Sequence, residues 1–133
     1  MKKILWSICL SLIIVAACTP HSSVARATLF YAPVCMHCTE VINESISTAQ
    51  SQFGESLDMV WVDVTGTDGR NHYLKFLGCY NIPPERIIFP VVVIGERVLI
   101  GDEVTDEFSR VVQTVLDNGG SDWPDLNGLE CSP

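Results

Sequence analysis

Apolar and polar residues change their spacing several times along the chain, and each change marks an element. Residues 27–31, Ala27-Thr28-Leu29-Phe30-Tyr31, are a run of strand formers closed off by Pro33. From about residue 35 to residue 52 the apolar positions switch to helical spacing. They fall at Val41, Ile42, Ile46 and Ala49 and carry on to Phe53, with Glu40 and Glu44 off that face. Residues 57–64 alternate as a strand does: Leu57, Met59, Trp61 and Asp63 against Val60, Val62 and Val64. After a loop at 66–69, residues 70–79 predict a short helix with Tyr73, Phe76 and Leu77 inward, stopped by Pro83-Pro84. The β-branched run at 91–94, the Gly95-Glu96 turn and residues 97–100 predict a hairpin. Val104, Phe108, Val111, Val112 and Val115 share one face of a helix over 103–118, which Gly119-Gly120 caps.

The predicted order is therefore β-α-β-α-β-β-α. A helical connection permits the first two strands to pair in parallel, whereas the hairpin is antiparallel. The fold class is α/β, a central mixed four-stranded sheet flanked by helices. A length of 133 residues suits one such domain. With 47% apolar and 18% charged residues, the composition argues against disorder.

The first 17 residues do not belong to that domain. Lys2 and Lys3 make a positive head, and residues 4–17 are apolar apart from Ser7 and Ser11. As a helix this stretch would reach about 21 Å, short of the ~30 Å hydrocarbon core, so it predicts a signal peptide rather than a spanning helix. Val15-Ala16-Ala17-Cys18 resembles the lipobox of bacterial lipoproteins, which implies lipidation at Cys18. The organisation expected is a signal peptide at 1–17, a tether at 18–26 and a domain with a C-terminal tail at 27–133. The protein would then be extracytoplasmic and held to a bacterial membrane, periplasmic or at the cell surface, by its lipid anchor. The whole chain carries a formal charge of −8, and loss of Lys2 and Lys3 makes the remainder more acidic. Such a surface argues against nucleic acid as a partner and leaves the attachment to the lipid chains.

Removing the signal peptide discards Cys9, and lipid blocks Cys18. Cys35, Cys38, Cys79 and Cys131 remain for chemistry, in a compartment where disulfides persist. Cys35-Met36-His37-Cys38 sits where the first strand ends and the first helix begins, the context in which C-x-x-C is informative. Unpaired backbone N–H groups and the helix dipole favour a thiolate at Cys35. Two intervening residues let Cys38 reach Cys35 and resolve a mixed disulfide. His37 would stabilise the thiolate when protonated or donating a hydrogen bond. The competing readings are a structural disulfide and half of a zinc site, though no second C-x-x-C is present. Cys35, Met36, His37 and Cys38 are also a soft set able to hold copper(I). Cys79 and Cys131 allow two readings, a disulfide that pins the tail or a second redox pair that relays electrons. As a staple closing roughly 50 residues, the bond would contribute about 4 kcal/mol. Asp102, Glu103, Asp106 and Glu107 open the last helix and read as dipole complementarity rather than a metal site.

Phe30-Tyr31-Ala32-Pro33-Val34-Cys35-Met36-His37-Cys38 resembles the strand, turn and C-x-x-C of the thioredoxin-like superfamily. Phe89-Pro90-Val91-Val92-Val93-Ile94-Gly95 is similar to the segment that holds that family's cis-proline. The resemblance spans roughly residues 27–118. It implies a cis Pro90 beside the sulfurs, with the backbone of Phe89 exposed to pair with a substrate strand. His37 is similar to the His of periplasmic disulfide-forming oxidases. The short length and hairpin close look more like glutaredoxin-like bacterial proteins and thioredoxin-like domains fused to vitamin K epoxide reductase homologues. Two positions depart from the pattern. Leu29 stands where thioredoxin carries a buried acid, and Met36 replaces the Pro after the first Cys. Asp63 on the second strand is expected at its polar face, with partial replacement of the missing acid as the other possibility.

The expectation is a thiol–disulfide oxidoreductase that needs no organic cofactor and no metal and exchanges disulfides with protein substrates. A vitamin K epoxide reductase-like or thiol-transporting membrane protein would recharge it. Two rival functions stand beside it. One is a copper or zinc carrier, and the other is a non-catalytic interaction lipoprotein whose Cys35–Cys38 bond only staples the fold.

Overall fold

The computed structural model describes residues 23–86 and 88–124. Cys18, Cys131 and residues 1–17, read above as a signal peptide, lie outside the described residues. The chain runs β1 (Ala25–Tyr31), α1 (Met36–Val41), a π-helical turn (Ile42–Ile46), α2 (Ser47–Phe53) and a 3-10 turn (Gly54–Ser56). It continues with β2 (Leu57–Asp63), α3 (Thr67–Tyr80), a 3-10 turn (Pro84–Arg86), β3 (Val91–Ile94), β4 (Arg97–Ile100) and α4 (Asp102–Asp117).

The four strands form one mixed sheet in the order β2-β1-β3-β4. β1 is central. It pairs in parallel with β2, from Ala25 opposite Leu57 to Tyr31 opposite Asp63, and antiparallel with β3, from Ala27 opposite Ile94 to Phe30 opposite Val91. Strands covered on both faces read as unbroken apolar runs, and Val91–Ile94 is such a run. Val92 and Ile94 join Ala25, Ala27 and Leu29 in a core shared with Val41, Ile46, Ala49, Leu99, Val104 and Phe108. Val91 and Val93 face the other way, into a second core with Phe30, Val62, Tyr73 and Phe76. The α/β class and mixed four-stranded sheet expected from the pattern are thus present. Among the described residues no helix is long and apolar enough to cross a membrane.

Element ends differ from the sequence expectation where local contacts override spacing. β1 starts at Ala25, inside the segment assigned to the tether, because this end of the strand is already buried and tied down. Ala25 is fully buried, Ser121 N–H donates to the Val24 carbonyl (2.9 Å), and Arg26 N–H donates to Ser121 Oγ (2.9 Å). α3 starts at Thr67, so Gly69, expected in a loop, is in its first turn. An added Cβ there would lie 1.9 Å from the Asp63 carbonyl oxygen, so glycine is what lets the helix close on the end of β2. α3 stops at Asn81, left-handed at φ +50°, before Pro83 and Pro84 are reached. The first helix is interrupted by the π-helical turn, where Ser47 Oγ donates to the Ile42 carbonyl (3.0 Å).

Candidate active site

The turn after β1 places Cys35 just before α1. Cys35 N–H donates to the Ala32 carbonyl (3.0 Å), and its backbone is extended at φ −85°, ψ 111°. Cys35 therefore caps the helix rather than lying in it. Its carbonyl accepts from Thr39 N–H (3.2 Å), and its Sγ accepts from Cys38 N–H (3.1 Å). A backbone N–H directed at a sulfur is the contact that supports negative charge there. The helical run continues without a break over residues 36–53, which sustains the dipole behind that contact.

Both sulfurs are free thiols, and they are unequal. Cys35 is half-exposed, whereas Cys38 is 1% exposed. Burial pushes the Cys38 thiol up to about 11, helped by its hydrogen bond to the Cys35 side chain and by the charge there. The backbone N–H of Ala32 acts in the opposite direction. Cys38 therefore holds its proton at neutral pH while Cys35 faces solvent. Val34 and Met36, on either side of Cys35, are 87% and 88% exposed.

His37 has a partner on α4. Its Nε2 lies 3.3 Å from Asp102 Oδ1 at the opening of α4. Around them is a cleft of about 440 Å³ lined by His37, Glu40, Val41, Glu44, Asp102, Thr105 and Asp106. Glu103 and Glu107 of α4 have separate partners. Glu103 accepts from Ile100 N–H (3.0 Å) and pairs with Arg86 (3.6 Å), while Glu107 pairs with Arg97 (3.1 Å) and Arg110 (3.0 Å). The Asp102 contact was not legible in the sequence, where this acid reads as dipole complementarity. The only local signal is an acid placed directly after Gly101, which closes the hairpin.

The Phe89–Pro90 bond is cis, as expected. Pro90 is buried, and its carbonyl accepts from Gly101 N–H (2.8 Å). Phe89 is half-buried, its ring 5.1 Å from that of Tyr73 on α3. Leu29 is fully buried in the core, so no carboxylate occupies its place. Asp63 does not replace it. Its Oδ1 accepts from Thr65 N–H (2.8 Å) and Thr65 Oγ1 (2.6 Å) in the loop beyond β2, and these bonds hold its carboxyl below the usual range.

Cys79, near the end of α3, is disulfide-bonded and half-buried. Cys131, its partner in the sequence reading, lies outside the described residues. Among the described residues no group of three or more His, Cys, Asp or Glu is arranged to hold a metal ion. No family model, curated protein or solved structure matches the chain.

Proposed function

We propose that the chain is a thioredoxin-like thiol–disulfide oxidoreductase acting on protein substrates outside the cytoplasm. The observation that carries this reading is the inequality of the two sulfurs: a half-exposed Cys35 receiving a backbone N–H, and a buried, protonated Cys38 within its reach. The sheet order, the helix after β1 and the cis Phe89–Pro90 bond support the family assignment.

The exchange follows from that inequality. Cys35 thiolate attacks one sulfur of a substrate disulfide. A Cys35–substrate bond forms, and the other substrate sulfur leaves as a thiolate that takes up a proton. Capture of Cys35 removes the neighbouring charge and hydrogen-bond acceptor that hold the Cys38 proton in place. Cys38 then loses that proton and attacks Cys35 Sγ, forming the Cys35–Cys38 disulfide and releasing the second substrate thiol. Two electrons pass to the substrate, and the reverse sequence oxidises it. Lipidation at Cys18 and recharging by a membrane thiol-transporting or vitamin K epoxide reductase-like protein complete the proposal, on sequence grounds.

The test is a pair of variants in an insulin-reduction assay. Cys35→Ser abolishes turnover. Cys38→Ser stops turnover too but accumulates a mixed disulfide at Cys35, visible as an adduct by intact mass. Full activity in Cys35→Ser, or no adduct in Cys38→Ser, overturns the reading.

A further inference from the structure

We propose that Asp102 is a positioning residue that sets the redox balance of the Cys35–Cys38 pair through His37; this rests on the exchange reading above. His37 lies between the two cysteines in the first turn of α1. Its Nε2 is 3.3 Å from Asp102 Oδ1, a contact that joins α1 to the first residue of α4. The other charged groups lining their cleft are Glu40 and Glu44 on the side of the first helix and Asp106 on α4, all carboxylates. Val41 and Thr105 complete the lining. Among the described residues, no Lys or Arg lines the cleft with His37. Arg86 is drawn to Glu103, and Arg97 and Arg110 to Glu107.

An imidazolium beside a C-x-x-C favours the thiolate and hence the dithiol form, which makes the disulfide more oxidising. A carboxylate at 3.3 Å cancels much of that field and fixes which way the ring nitrogen points. Asp102 thus keeps His37 from acting on Cys35 as a bare cation. Removing its charge leaves any positive charge on the ring uncompensated beside the sulfurs.

The experiment equilibrates the full domain with glutathione. Protein dithiol plus glutathione disulfide gives protein disulfide plus two glutathione thiols, with two electrons transferred. The constant is read by mass after acid quench for wild type, Asp102→Asn, Asp102→Glu, His37→Gln and the His37→Gln/Asp102→Asn double variant. At pH 6, Asp102→Asn shifts the constant toward the dithiol by about three- to fivefold, the size of an exposed ion pair. The shift is absent in Asp102→Glu and disappears in the His37→Gln background. An unchanged constant for Asp102→Asn at pH 6 overturns the inference, and so does a shift of equal size in the His37→Gln background. A wild type that never equilibrates with glutathione overturns the exchange reading itself, which separates the two failures.

Discussion

Two side chains in the same fold show what burial does to an ionisable group. Burial is the main cause that lifts the Cys38 thiol to about 11, with the Cys35 side chain adding to it and backbone groups acting against it. Tyr73 is also buried, packed between the rings of Phe30 and Phe89, and its hydroxyl has no hydrogen-bond partner among the described residues. Burial alone pushes that hydroxyl up to about 12. A buried hydroxyl without a partner costs about 1–3 kcal/mol. Tyr73→Phe is therefore expected to leave stability unchanged or to raise it by about 1 kcal/mol, read from the urea midpoint. A loss larger than that would mean the hydroxyl has a partner after all. At this scale the sequence was informative about the sulfurs and silent about the partner of His37. A C-x-x-C after a strand announces its own geometry, because four consecutive residues on one helix start have few arrangements. The Asp102 partner sits on another helix, and nothing local sets how two helices face each other.

Elements were legible where chemistry and covalent geometry agree. Gly95, at φ +56°, closes a hairpin after a β-branched run, and both strands fall where that run and the Gly95-Glu96 turn put them. The helix over 103–118 was equally plain, because five apolar residues on one stripe leave no second face to bury. Helix ends were less plain, since a glycine signals both a loop and a close approach. α3 contains both uses of that residue. Gly69 packs against the Asp63 carbonyl, whereas an added Cβ at Gly78 meets nothing within 4 Å. Gly69→Ala is expected to cost about 1–3 kcal/mol through overpacking. Gly78→Ala, in the same helix, gains about 0.5–1 kcal/mol from helix propensity. Opposite signs in chemical denaturation would confirm that the two glycines do different things; equal signs would refute it.

For the molecule as a whole, the class and layer arrangement followed from periodicity, because β1 and β3 are shared by two cores that need helices on both faces. What periodicity could not give was the anchoring of the chain ends, which depends on Ser121 meeting Val24 and Arg26 across most of the sequence. The Cys79 disulfide belongs to the same scale. As a staple it constrains the unfolded chain, and Cys79→Ser should lower stability by about 2–4 kcal/mol while insulin reduction at neutral pH stays within twofold of wild type. A relay role predicts the reverse, a large loss of turnover in the intact fold, so measuring both quantities on one preparation decides between them.

The direction of β1 has a consequence for orientation. The chain enters this seven-residue strand at Ala25 and leaves it at Tyr31, just ahead of Cys35. At about 3.3 Å per residue, the entry point and the reactive end stand roughly 20 Å apart at opposite poles of the sheet. If lipid at Cys18 holds the protein, as proposed, the attachment enters the domain at the pole away from Cys35.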